Sequence, residues 1–321
     1  MSAHVDIVPE GNPTAWSYPP FGASIDAEQR LYGRGSMDGK AGAAIVLAVL
    51  ETLLEMRFRL DGDLLCYFVI EDETTGNGSL LCLDNGYLPD AAVIIDGTRG
   101  DRAIDRHAGQ IQFALYVQGK AASVCVSHLG VNAADLLARL VARLADAVVA
   151  LNATRTGDWL RYPSPFQLVT QRLASEGAQL TVPEMAQATC YMTFPPPWTI
   201  GRTLTFLDAE VAAFAARHQL SDPPCMRVLF RAEPVASEAS EMVGVLRRSA
   251  VDAGFGSVET SPSTGTSDLR HFVARGIPCV LYGPGGGANP HRPDEYYDLG
   301  DLPRMVRLFV DFASRWCGTA A

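Results

Sequence analysis

Apolar residues recur along this chain with two different periods. Residues 40–56 repeat at helical spacing and consist largely of good helix formers, whereas DLLCYFVI (63–70) and AAVIID (91–96) are short continuous apolar runs bounded by Gly, Asp and Pro. Runs of that length predict strands buried on both faces, as in a parallel sheet. The same alternation returns late in the chain. DLRHFVARG (268–276) predicts a helix stopped at a glycine, IPCVLYGPGGG (277–287) a buried strand opening into a loop, and 301–316 a closing helix. The middle differs. QIQFALYVQG (110–119), PFQLVTQRLAS (165–175) and AQATCYMTF (186–194) alternate apolar with polar, and the segments 132–150, after the first, and 203–217, after the third, are amphipathic helices. Strands with one wet face belong to an antiparallel sheet. The expected fold is therefore α/β: a domain of residues 1–105 and 234–321 with a mixed, largely parallel sheet flanked by helices, and a small α+β domain inserted over 106–233.

Composition narrows the class. With 48% hydrophobic residues in 321, the chain can bury a sizeable core. A net charge of −10, with Lys and Arg thinly spread, argues against nucleic acid or an anionic membrane surface as a partner. The longest apolar run, 41–56, is broken by Glu51 and Glu55 before it reaches the roughly 20 residues of a membrane span. The first residues, MSAHVDIVPEGN, have neither the basic nor the apolar region of a secretion signal, so a cytoplasmic location is expected. Seven widely spaced cysteines without a C-x-x-C predict reduced thiols rather than a disulfide framework or a thiolate metal site.

In a parallel sheet, chemistry gathers beyond the C-terminal ends of the strands. Three adjacent acids, Glu71, Asp72 and Glu73, follow the run 63–70. Asp96 closes the run 91–96, Asp38 lies in GRGSMDGKAG before the first helix, and His291 lies in NPHRPDEYYD after the last buried run. His4 and Asp6 stand two apart, so an extended segment turns both to one face, as for an imidazole steadied by a carboxylate. Each of these residues alone is more often a turn former or a helix cap than a ligand. Carboxylates and imidazoles collected from several loop tips suit a divalent metal such as zinc, and without one they would repel each other. GRGSMDGKAG has neither Walker spacing nor G-x-G-x-x-G, so it is not read as a phosphate cradle.

The ordered set HVDIVP, Trp16 with Pro20 and Phe21, LYGRGSMDGKAG, EDETTGNG, IIDGT, GKAAS with HLGVNAADLL, GTSDLRHF and YGPGGGANPHRPDEYYDL resembles the dinuclear zinc amidohydrolases: acetylornithine deacetylase, succinyl-diaminopimelate desuccinylase, aminoacylase and carboxypeptidase G. The resemblance spans nearly the whole chain. It implies a zinc-peptidase catalytic domain with an inserted ferredoxin-like lid that also forms a homodimer. It implies two divalent metal ions, zinc first with cobalt or manganese as alternatives, held by His4, Asp38, Glu73, Asp96 and His291, with Asp38 shared. Asp72 falls at the position of the general base, Asp6 would orient His4, and Ser123, Asn132, Thr193 and Gly265 fall at substrate-facing positions. The implied activity is hydrolysis of the amide bond of an N-acyl amino acid or small peptide-like substrate.

Three departures qualify that expectation. The base position carries Asp72 instead of the usual glutamate, one methylene shorter; a register shifted by one would make Glu71 the base and Asp72 the ligand, at the expense of the alignment of Gly76 and Gly78. Ser123 stands where the lid carries a histidine, and Thr193 where many members carry a carboxylate-binding arginine. Only three residues precede His4, so the usual N-terminal elements are expected to be lacking and the sheet to have an edge left open or covered from elsewhere. The alternative to a working hydrolase is a metal-binding homologue with weakened catalysis and a binding or regulatory role.

Overall fold

The computed structural model describes residues 1–98 and 100–319. Contacts divide the chain into two compact units, one of residues 1–106, 236–261 and 267–321, the other of 107–235 with 262–266. The strip 262–266, expected from sequence within the first domain, joins the second unit through three contacts: Ala108 N–H donates to Ser263 O (2.9 Å), Tyr162 Oη to Pro262 O and Thr266 Oγ1 to Gln110.

The first unit is built on a mixed sheet whose middle strands are parallel. Cys279–Leu281, Ala92–Ile94, Ser2–His4 and Tyr67–Val69 lie side by side in that order. Arg102–His107 pairs antiparallel beyond Cys279–Leu281. Cys279–Leu281, Ala92–Ile94 and Tyr67–Val69 are three residues each, shorter than the apolar runs that predicted them, and Ser2–His4 joins them without such a run in the sequence. At the other end of the strand order, Tyr67–Val69 has no further paired neighbour among the described residues.

Helices Lys40–Glu55, Ser240–Asp252 and Leu302–Cys317 contribute to the core beside this sheet. Ile45, Val46 and Val49 of the first, Leu246 of the second and Leu308 and Phe309 of the third share one cluster with Val93, Ile95 and Val280. Burial of such side chains, at about 1.5–3 kcal/mol each, is the main force fixing the strand ends in place. A second, antiparallel sheet in this unit joins Ser24–Ile25, Arg30–Tyr32, Tyr296–Asp298 and Gly287–Ala288. It is not among the predicted elements, since two- and three-residue strands leave no periodicity to read. Its hairpin Gly287–Asp298 carries His291.

The second unit is a four-stranded antiparallel sheet, Cys225–Ala232, Gly109–Gln118, Met185–Phe194, Gln167–Glu176, with helices Ala133–Leu151 and Ile200–Arg217. Its chain order βαββαβ and strand order 4-1-3-2 make it ferredoxin-like. Leu137, Leu140, Leu144 and Val148 of the first helix pack with Phe113, Leu115 and Met192 of the sheet. The strand Cys225–Ala232 completes the motif and is not among the predicted elements. Among the described residues, no helix is long and apolar enough to cross a membrane.

Candidate metal centre

Because the four central strands run parallel, their C-terminal ends share one edge of the sheet. His4 is the last residue of its strand and 2% exposed. Its Nδ1 lies 3.2 Å from the backbone oxygen of Asp6 and 3.3 Å from Asp6 Oδ1, the partners that fix the ring. Its Nε2 points to two carboxylates, Asp38 Oδ1 at 3.2 Å and Asp96 Oδ1 at 3.9 Å. The loop carrying Asp38 passes directly beneath this imidazole. A β-carbon at Gly39 would come within 2.1 Å of His4 Nε2, so glycine is required there.

Asp38 faces two ways. Its other oxygen, Oδ2, lies 3.1 Å from Nε2 of His291, and the same nitrogen lies 3.1 Å from Glu73 Oε1. One aspartate therefore stands between two imidazoles, each with a further carboxylate. The possible ligand atoms of His4, Asp38 and Glu73 lie within 4.8 Å of one another, as do those of His4, Asp72 and Asp96. The three acids that follow Val69 separate by direction. Glu73 meets His291, and its N–H donates to Asp6 Oδ2 (3.3 Å). Asp72 joins His4 and Asp96. Glu71 turns away with a left-handed φ of 69°, and its carboxylate accepts from the Thr75 hydroxyl four residues on.

The electrostatics of this cluster call for positive charge. Burial by itself would lower the pKa of His4, but its hydrogen bonds to Asp38 and Asp96 and the charges of Asp96 and Asp72 outweigh burial and raise it to about 12. Hydrogen bonds to Asp38 and Glu73 raise His291 to about 10. Burial would raise Asp38, yet the two imidazoles hold it below the usual carboxylate range. Burial, reinforced by the charge of Asp268, pushes Asp72 well above that range.

Two imidazoles and four carboxylates, Asp38, Asp72, Glu73 and Asp96, are donors that divalent ions of hard or borderline character take. With neutral imidazoles, the four negative charges balance two dications. The residues fit such a pair of ions.

This balance predicts a proton count. In metal-free protein near pH 7, His4 and His291 both hold a proton, because their pKa values are raised well above that pH. A ligand nitrogen must be free, so metal entry expels both protons and apparent affinity rises with pH. The sign for stability is the opposite. In metal-free protein the two imidazolium contributions are complete below about pH 6.5 and are lost as pH rises towards the raised values. Calorimetric titration of Zn²⁺ in buffers of differing ionisation enthalpy should report release of at least those two protons. A proton-neutral titration would contradict the assignment.

Three buried residues at this site are not among the expected site residues: Asp268, Arg34 and Glu295. Asp268 is 1% exposed and lifted to about 6 by burial. It lies 4.0 Å from both Arg270 Nη2 and His271 Nε2. A β-carbon at Gly76 would collide with all three of these side chains, which accounts for the glycine before the helix Asn77–Asp84. The GTSDLRHF motif contained Asp268, but nothing in one sequence separates it from a helix cap.

The four residues expected to face substrate all lie in the second unit, and each has a local partner there. Asn132 caps the helix Ala133–Leu151, its Oδ1 accepting from Ala134 and Asp135 N–H. Thr193 is 4% exposed and donates its hydroxyl to Pro165 O (3.0 Å). Ser123 Oγ accepts from Cys125 N–H (3.4 Å), and Gly265 N–H donates to Ser263 Oγ (3.1 Å).

Fold and site together define a two-unit α/β protein with a carboxylate and imidazole centre at the C-terminal edge of a parallel sheet. The chain belongs to peptidase family M20/M25/M40, whose sequence profile matches residues 1–315. It is 27% identical over 327 aligned positions to the succinyl-diaminopimelate desuccinylase of Methylobacterium nodulans, covering 96% of this chain and 78% of that one. Among solved structures it is similar to the di-peptidase Dug1p of Saccharomyces cerevisiae, with a TM-score of 0.79, 13% identity and coverage of 100% and 80%. A dinuclear metal binding peptidase of Bacillus subtilis from the same family superposes with a TM-score of 0.64 at 14% identity, covering 99% of this chain and 81% of that one.

Proposed function

We propose that this protein is a metal-dependent amidohydrolase that cleaves the amide bond of an N-acyl amino acid or a small peptide-like substrate. The observation that carries the reading is Asp38 set between His4 and His291, 3.2 Å and 3.1 Å away. His4, Asp38 and Asp96 would hold one divalent ion and Asp38, Glu73 and His291 the other, with zinc preferred by the mixed nitrogen and oxygen donors. When bound, the ions supply Lewis-acid polarisation of the scissile carbonyl and acidify the attacking water. Asp72 takes the proton from that water at a carboxylate oxygen and delivers it to the leaving nitrogen. Burial favours this role, since a carboxylate lifted above its usual range is a stronger base than a solvated one. Asp6 holds His4 in orientation through Nδ1.

A homodimer through the second unit is part of this reading. Gln167–Glu176 is an edge strand, and it exposes Val169 (49%) and Leu173 (55%). Such an edge favours association. Light scattering would give twice the chain mass, and a monomer at micromolar concentration would exclude it. The free thiols of all seven cysteines suit a reducing compartment such as the cytoplasm.

Hydrolysis is tested on N-acetyl and N-succinyl amino acids and on dipeptides, with the protein loaded with Zn²⁺, Co²⁺ or Mn²⁺. Amine release from at least one class, abolished by a chelator and restored by metal, is expected. The second reading, a metal-binding homologue with weakened catalysis, is favoured by the short Asp72 and by Ser123. Stoichiometric metal with no turnover of any substrate, unchanged by Asp72→Glu or Ser123→His, would establish it over the first.

A further inference from the structure

Asp38 receives its orientation from the backbone that carries it, and that backbone is held by an acid remote in sequence. Glu295 is 0% exposed. Its Oε1 accepts from the N–H groups of Met37 (3.0 Å) and Asp38 (3.1 Å). Its Oε2 accepts from Arg34 Nη1 at 2.5 Å. Its own backbone oxygen accepts from Gly33 N–H (2.9 Å). The Arg34 side chain is 2% exposed, and its guanidinium lies 5.2 Å from the ring of Trp16. One carboxylate thus ties the loop 33–38 to the hairpin that bears His291.

A fully buried ion pair is a weak source of stability, because desolvation offsets most of the attraction. Its retention here is better explained by geometry. Asp38 and His291 come from segments more than 250 residues apart in sequence, and Glu295 is the buried charge that both segments share. We infer that Glu295, paired with Arg34, is a positioning residue that sets the shared carboxylate Asp38 against His291. The inference rests on the proposed metal centre and extends it to two residues outside the proposed ligand sets.

Glu295→Gln keeps the shape and an oxygen for the two backbone N–H groups, but it removes the charge and sets an NH₂ donor against the Arg34 donor. Glu295→Asp keeps the charge and withdraws the carboxylate by one methylene. The experiment measures Zn²⁺ affinity by competition with a chelating dye, together with the visible spectrum of the Co²⁺-loaded protein and the far-UV circular dichroism. The wild type and both variants are compared. Folded Glu295→Gln should bind Zn²⁺ about ten- to a hundredfold more weakly, as for loss of an outer partner of a ligand, with an altered Co²⁺ spectrum. Glu295→Asp should lose less, in the same direction, and decides the matter if the glutamine variant does not fold. Wild-type affinity and spectrum in a folded variant would overturn the inference alone. A wild-type protein that binds no metal would overturn both the inference and the metal reading beneath it.

Discussion

Asp38→Asn is expected to remove the metal centre while leaving the fold in place. Asparagine matches aspartate in size, and the backbone N–H of residue 38 keeps its bond to Glu295. The lost charge, however, is the one shared by His4 and His291. An amide offers one oxygen where two facing oxygens are needed, and it leaves three of the four carboxylates to balance two dications. Loss of even several kcal/mol of charge stabilisation corresponds to a fall of about a thousandfold or more in rate. Metal content by mass spectrometry should drop below that of the wild type, and kcat/KM should fall with it. The imidazoles respond as well. Without the Asp38 charge both become weaker bases, so fewer protons leave when metal is added near pH 7. A variant with full metal content and wild-type turnover would refute the central role of Asp38.

Asp72→Asn should separate binding from chemistry. The proposed base lies outside the two proposed ligand sets, so metal content falls less than in Asp38→Asn while kcat falls by about 10²–10⁴. KM changes little if substrate contacts are intact. If the metal content drops as far instead, Asp72 serves as a ligand beside His4 and Asp96. Asp72→Glu tests the missing methylene from the other side. Added reach raises kcat if Asp72 stands too far from its water. Lowered kcat would mean that the site, with Asp268 buried close by, is already built around the shorter acid.

The carboxylates and histidines at the strand ends were legible because each sits at a break in the hydrophobic pattern. Glu73 and Asp96 follow or close short apolar runs, His4 stands two before Asp6 on an extended segment, and parallel strands must deliver such residues to one edge. The inserted sheet was legible for a related reason, since Gly109–Gln118 and Met185–Phe194 alternate apolar with polar residues; burial follows that alternation in Met185–Phe194, whereas Gly109–Gln118 is buried on both faces over its first seven residues. Glu295 could not be found this way. In the sequence it is one charge in HRPDEYYD, and its meaning depends on two amides that only the folded hairpin brings to it. The second small sheet escaped for want of length, and Asp268 because a buried acid and a helix cap look alike in one sequence.

The sequence by itself determined the α/β alternation, the inserted antiparallel unit and the residue types collected at the loop tips, because hydrophobic period and turn chemistry are local properties of the chain. The tertiary structure alone decided that Asp38 stands between His4 and His291, that Glu71 turns from the cluster while Asp72 and Glu73 join it, and that Glu295 holds the loop of Asp38. These are relations between segments far apart in sequence, set by strand register, a left-handed residue and buried hydrogen bonds, and no local pattern encodes them.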